Sequence, residues 1–296
     1  MGLGVGVNVS KAEGFRCFED AIASPHQHTL NHSFTLTGIG LHTGVAAIIT
    51  VHPAPPDQGR YFWHQDGPDI PAHLSFVHQT QFCTLLRQAN TTISTVEHLL
   101  AALAGMGIDN ARIELDGPEV PILDGSAQMW TDAILKVGYQ VQPEPRTIPI
   151  LHHPVLVQGN EEALVMALPE PHLSFSYGID FPEPAIGSQW CRFSPKEFIS
   201  DIAPARTFGR AKDVESLQAM GFIKGGSLEN ALVCRQDEWL NPPLRFANEP
   251  VRHKLLDLMG DLSLLGYLPP AHYVAYKASH SLHIRFAKRL QQALLG

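Results

Sequence analysis

Two predicted helices each carry part of a set of side chains suited to metal-assisted hydrolysis. The first runs through Ser94-Thr95-Val96-Glu97-His98-Leu99-Leu100 and offers a Glu–His pair. The second runs through Val251-Arg252-His253-Lys254-Leu255-Leu256-Asp257 and on to Asp261. His253 and Asp257 are four residues apart, so both leave one face of the helix. Together the stretches supply two imidazoles, a carboxylate ligand and a spare carboxylate. That is the inventory of a catalytic zinc centre with an open fourth position.

Spacing alone does not decide the matter. The chain has 16 His in 296 residues, and composition alone yields about one His-x-x-x-Asp pair of this ligand-compatible spacing. Ser94-x-x-Glu97 is also a capping box, with the carboxylate turned back to the helix N-terminus. On pattern alone that is the simpler reading, and His98 is equally a core histidine.

The elements around these residues follow from periodicity. In the helix from Thr95, Val96, Leu99, Leu100 and Leu103 share one face, and Gly105 and Gly107 end it. A second helix is predicted from Ser126 to about Lys136, after the Asp124-Gly125 turn. The helix near Glu249 has Asn248 as its cap and Pro250 in its first turn. Val251, Leu255, Leu258, Met259 and Leu262 form its apolar stripe, and His253, Asp257 and Asp261 a second, offset stripe. A terminal helix is predicted over 282–295. Strands are predicted over 34–39, 45–51, 111–115, 154–157, 163–168, 173–179, 231–234 and 273–277.

Gln140-Val141-Gln142-Pro143-Glu144-Pro145-Arg146 has the composition of a linker. The division expected is a flexible N-terminal extension over 1–30, a first domain over 31–143 and a second over 144–296. Each half has strands and then helices, without βαβ alternation, which argues for an α+β fold of sheet-on-helix layers, twice. No strong internal sequence repeat is visible.

Composition narrows the class. Hydrophobic content of 44% and charged content of 17% are those of a chain with a substantial core. The net charge of −8 and the absence of basic clusters argue against nucleic acid. Cys17, Cys83, Cys191 and Cys234 lack CxxC spacing and are expected to be reduced thiols of a cytoplasmic protein. No apolar run reaches the ~18 residues of a membrane span. Peripheral membrane association stays open, as does the oligomeric state, with a monomer as the working expectation. The first 30 residues fit neither a signal peptide nor a transit peptide.

Seven strings occur in register. They are Gly38-Ile39-Gly40-Leu41-His42-Thr43-Gly44, Thr92 to Leu103 continuing into Gly107-Ile108-Asp109-Asn110, Pro121 to Ala127, Ala205-Arg206-Thr207-Phe208-Gly209, Gly225-Gly226-Ser227, Val251 to Asp257, and Ala275 to His280. In this order and at these separations they closely resemble the UDP-3-O-acyl-N-acetylglucosamine deacetylases of lipid A biosynthesis. The likeness covers about residues 32 to 290.

The resemblance implies two similar two-layer domains packed helix layer to helix layer, with the active site between them. It implies Zn2+ held by His98, His253 and Asp257, with Glu97 as the general base. It implies His280 as the acid for the leaving amine, held by Asp261. The Thr207 hydroxyl would steady an oxyanion, and Phe208 would stack on a sugar face. Lys254 and Lys277 are cations suited to a diphosphate. The segment 208–222, with Val214, Leu217, Met220 and Phe222, would form an acyl passage, with plain core packing as the alternative, and Leu41 would be a further substrate-binding residue. Gly225-Gly226-Ser227 is either a phosphate cradle or a tight turn. The implied activity is removal of the N-acetyl group from a UDP-linked, 3-O-acylated amino sugar. The alternatives are a zinc amidase for another N-acyl substrate and a non-catalytic nucleotide-sugar binding protein. A kinase is disfavoured, because no Gly-x-x-x-x-Gly-Lys-Ser/Thr string is present.

Overall fold

The computed structural model describes residues 24–65 and 67–295. Its frame is a pair of five-stranded sheets. The first contains β1 (Phe34–Ile39), β2 (Ala46–Pro53), β3 (Arg60–Trp63), β4 (Ile70–Pro71) and β5 (Ala111–Leu115). Their spatial order is β1-β2-β5-β3-β4, and β3 and β5 are the parallel pair. The second contains β6 (Val155–Gln158), β7 (Leu164–Pro169), β8 (Ser174–Asp180), β9 (Ser188–Phe193) and β10 (Ala271–Tyr276). Its order is β6-β7-β10-β8-β9, with β8 and β10 parallel. The two topologies are the same although no sequence repeat announces it.

Each sheet is one-sided. Ile49, Val51, Phe62, Ile113 and Leu115 are buried along the first, while the alternate residues Thr35, Thr37 and Glu114 are exposed or partly so. In the second, Phe175 stacks between Phe193 and Tyr273 at centroid distances of 5.4 and 5.3 Å. Period-2 alternation places these rings on one face.

The helices of the two halves meet each other. α1 (Glu97–Gly105) and α2 (Gln128–Val137) belong to the first half. A short helix, α3 (Ala211–Ala219), precedes α4 (Glu249–Leu262) and α5 (His280–Leu295) in the second. α1 is apolar nearly all round, and Leu99 to Leu103 are fully buried. It packs against α4 and α2, and its residues share one buried cluster with Ile49, Val51, Phe62 and Ile113 of the first sheet, as such a composition requires. The fold is therefore α+β, two sheet-and-helix units joined through their helix layers.

A glycine sets how closely the units approach. A Cβ on Gly260 of α4 would lie 2.1 Å from the Glu97 carbonyl oxygen and 2.8 Å from its carbon. Backbone atoms cannot swing aside as a side chain can. Gly260→Ala is therefore expected to lower stability by at least the ~1–3 kcal/mol typical of overpacking. A urea midpoint equal to that of the wild type would show that the helices separate freely.

Two expectations change here. Residues 26–30, assigned to a flexible extension, form a strand, His26–Leu30, antiparallel to Tyr139–Pro145. The stretch read as a linker is that partner strand. Leu30 is fully buried, and the Thr29 hydroxyl donates to the Asn110 carbonyl at 2.7 Å. The pairing spans more than a hundred residues, so local composition does not reveal it. The remainder of the expected extension, residues 1–23, lies outside the described residues.

Arg146 closes this ribbon. Its guanidinium donates to Asp109 and to the Gly107 carbonyl, and Nη2 lies 3.0 Å from His28 Nδ1. Burial and then Arg146 push the His28 pKa down from 6.5 to about 4, against Asp109. A histidine with a depressed folded pKa binds its proton more readily when unfolded. Its contribution is complete above pH 6.5 and is lost as pH falls toward 4. The slope is at most about 1.4 kcal/mol per pH unit in that window. Stability of the wild type should therefore fall more steeply there than that of His28→Gln. Parallel profiles from urea melts would remove His28 from the acid response.

Candidate active site

The site lies where α1 meets α4, close to the start of α5. Thr95, with φ +58, turns the chain into α1. Its hydroxyl donates to Glu119 Oε1 at 2.7 Å. The Glu119 carboxylate also accepts the His42 and Thr43 amides and the Thr43 hydroxyl. One buried carboxylate thus ties the Gly38–Gly44 string to the head of α1. Gly40 is needed beside it, because a Cβ would sit 2.3 Å from Glu119 Oε2.

The capping box expected of Ser94 and Glu97 is not formed. The Ser94 amide donates to the Pro118 carbonyl, and the helix N-cap, Val96, has no side-chain cap bond. The Glu97 carboxylate instead accepts the Thr84 amide at 3.1 Å, with His280 Nε2 at 3.9 Å. Burial raises its pKa to about 6, although His280 and His98 pull the other way.

His98, His253 and Asp257 are buried together, and their donor atoms all lie within 4.8 Å of one another. Asp257 Oδ1 is 3.7 Å from His98 Nε2 and 3.3 Å from His253 Nε2. His253 Nδ1 donates to the Ala205 carbonyl at 3.1 Å, which leaves Nε2 with a lone pair facing the cluster. Burial lowers the His253 pKa to about 4, so the ring is neutral, as a ligand must be. Burial opposes the Asp257 charge, yet the Lys254 ammonium beside it holds its carboxyl well below the usual range. These three residues could hold a divalent ion, and the ionisation of His253 and Asp257 suits one.

A second cluster, Asp261, His280 and His283, is equally close but is already satisfied internally. His280 Nδ1 and His283 Nδ1 both point at Asp261 Oδ2, at 2.7 and 2.8 Å. Burial disfavours charge on His280, but Asp261 and Asp257 outweigh it and raise the pKa to about 9. Asp261 itself is fully buried.

Several residues sit otherwise than expected. Asn248 does occupy the N-cap of α4, but its side chain accepts from Arg252 Nε at 2.8 Å instead of capping. Lys254 Nζ is 2.7 Å from Asp257 Oδ2, so its charge is engaged with the carboxylate first. Lys277 Nζ lies 3.5 Å from both Glu162 and Asp180. Both lysines line a cavity of about 460 Å³ together with Arg210, Arg285, Phe181 and Ser279.

Gly225-Gly226-Ser227 does not cradle phosphate. The three amides donate to the Leu41 carbonyl, the Ile223 carbonyl and Asn230 Oδ1. Gly225 is small because a Cβ would sit 2.3 Å from the Gly40 carbonyl. In 208–222, no residue of α3 is fully buried, so core packing does not explain Val214 and Leu217. Phe222 meets His42 edge-on at 5.3 Å and Phe82 at 4.9 Å.

The Ala205–Gly209 string flanks His253. Ala205 accepts from its Nδ1, and the Phe208 ring lies 6.4 Å from the imidazole. Thr207, between them, donates its amide to the Gly125 carbonyl at 2.7 Å. Arg206 grips Glu249, a fully buried carboxylate at the head of α4. Sequence reasoning missed this latch, and missed Thr84 and His283. His283 follows His280 by three residues on one helix, a spacing that could have marked it. Nothing around Thr84 does so.

A buried cluster of two histidines and an aspartate, flanked by a carboxylate and a charged imidazole, defines the layout of a metal-dependent hydrolase. The family model described as "UDP-3-O-acyl N-acetylglycosamine deacetylase" matches residues 27–292, and the chain belongs to that family. It is 54% identical over 274 residues to the UDP-3-O-acyl-N-acetylglucosamine deacetylase of Nostoc sp., covering 89% of this chain and 98% of that protein. It is 53% identical over 269 residues to the protein of that name from Thermosynechococcus vestitus, covering 90% and 94%. A probable mitochondrial deacetylase of the same description from Arabidopsis thaliana is 42% identical over 287 residues, covering 89% and 87%.

Proposed function

We propose that this protein is a zinc-dependent amidohydrolase that removes the N-acetyl group from a UDP-linked 3-O-acyl-N-acetylglucosamine in lipid A biosynthesis. The observation that carries this is the junction of His98, His253 and Asp257 with Glu97 and His280, drawn from both halves of the chain. Zn2+ held by those three residues would act as a Lewis acid toward water and the amide carbonyl. Glu97, with its raised pKa, takes a proton from the attacking water. The water oxygen joins the acetyl carbon, the C–N bond breaks, and His280 protonates the departing amine as acetate forms. Asp261 keeps His280 charged and oriented. Thr207 supplies a hydroxyl for the oxyanion.

The cavity with Lys277, Arg210, Arg285 and Lys254 suits the diphosphate, and Phe208 a sugar face. Leu41, Val214, Leu217 and Phe222 form the acyl side. Among the described residues no helix is long and apolar enough to cross a membrane; the reaction is assigned to the cytoplasm, with the protein acting as a monomer. The test is acetate release from the UDP-sugar with and without its 3-O-acyl chain. Release that depends on the acyl chain supports the reading. A substrate-independent background rate with both would overturn it.

A further inference from the structure

We propose that Thr84 and His283 are positioning residues that fix the Asp261 carboxylate, and that Thr84 also couples it to Glu97 across the seam between the two halves. This rests on the reading of Glu97, Asp261 and His280 as the proton-transfer groups.

Asp261 accepts three hydrogen bonds. The Thr84 hydroxyl donates to Oδ1 at 2.5 Å, and the Nδ1 groups of His280 and His283 lie 2.7 and 2.8 Å from Oδ2. Only the His280 bond faces the proposed chemistry. The other two lock a carboxylate whose terminal torsion is soft by nature. With them in place, the His280 ring has one orientation in which its Nε2 stays near Glu97.

Thr84 does a second job with its backbone. Its N–H donates to Glu97 Oε2 at 3.1 Å, while its side chain holds Asp261. Glu97 and Thr84 come from the first half; Asp261, His280 and His283 come from the second. One fully buried residue thus links base and acid support across the seam. His283 is itself braced, with Nε2 3.1 Å from the Tyr177 hydroxyl, which lies 2.8 Å from the Ala278 carbonyl. That carbonyl is two residues before His280, so the brace returns to the same turn. A buried polar chain this closed is retained at a cost that plain packing would avoid.

The test uses the metal-loaded enzyme and four variants. Thr84→Val removes the hydroxyl at nearly constant volume and leaves the amide on Glu97. Thr84→Ser keeps a donor. His283→Leu removes the Nδ1 donor, and His283→Asn places an amide N–H close to its position. Outer-shell partners of this kind typically cost 10–100-fold when removed. The expected result is a kcat about 10–100-fold lower for Thr84→Val and His283→Leu, with KM and zinc content close to wild type. Thr84→Ser and His283→Asn should recover most of the loss. Unchanged kcat in Thr84→Val and His283→Leu would overturn the proposal. So would equal losses in the Ser and Asn variants, which mark a packing role. Glu97→Ala and His280→Ala are run beside them. If these two keep turnover, the underlying reading fails first; if they lose it while Thr84→Val does not, the positioning role alone fails.

Discussion

Replacing Glu97 with alanine is expected to lower kcat by about 10²–10⁴-fold, the usual worth of a general base, while bound zinc remains at the wild-type level. Glu97 is next to His98 in sequence but leaves α1 in a different direction, roughly 100° away around the helix. Its carboxylate is 3% exposed and, among the described residues, is bonded by a single backbone N–H. A buried carboxylate with so few donors binds a proton readily, which is the reason its pKa is raised to about 6. Loss of stability should be small by comparison, because no helix cap is removed. The measurement is steady-state kinetics beside metal analysis and a thermal melt. A near-normal kcat with a lowered melting temperature would return Glu97 to a structural role.

His98→Ala and His253→Ala are expected to lose zinc and activity together. Three protein ligands hold such an ion, and two hold it poorly. The variants differ in what they leave behind. Loss of His253 also frees the Ala205 carbonyl, which its Nδ1 engages, and so loosens the Thr207–Phe208 segment. Loss of His98 leaves that segment untouched. Metal removal should also lower the melting temperature of the wild type, since an ion that binds only the folded chain stabilises it by mass action. Full zinc occupancy in both variants would end the ligand assignment. A chelator-treated wild type that melts like the loaded protein would deny the link to stability.

The helices of the site were legible where periodicity and chemistry coincided. α4 shows two stripes in its sequence, one apolar and one of His253, Asp257 and Asp261, and the structure buries both. The predicted strands over 34–39 and 111–115 appear with the same bounds as β1 and β5. What escaped was set by distant partners. β3 and β4 have four and two residues, too few for a pattern to emerge above composition. Tyr139–Pro145 has a linker's composition because its two prolines and polar residues sit on a two-stranded ribbon, where the ladder tolerates them. The fate of Gly225 depended on where Gly40 lay. Thr84 carries no motif, since its importance comes from Asp261 177 residues away.

Gly260 has a meaning beyond tight packing. The gap between α1 and α4 is gauged by bare main chain, glycine Cα against the peptide of Glu97. Side chains hop between rotamers, but peptide planes hardly change shape. The span separating His98 from His253 and Asp257 is thereby calibrated by the stiffest parts of the polymer. The donor atoms inherit the precision of a rigid ruler, whatever the surrounding leucines do.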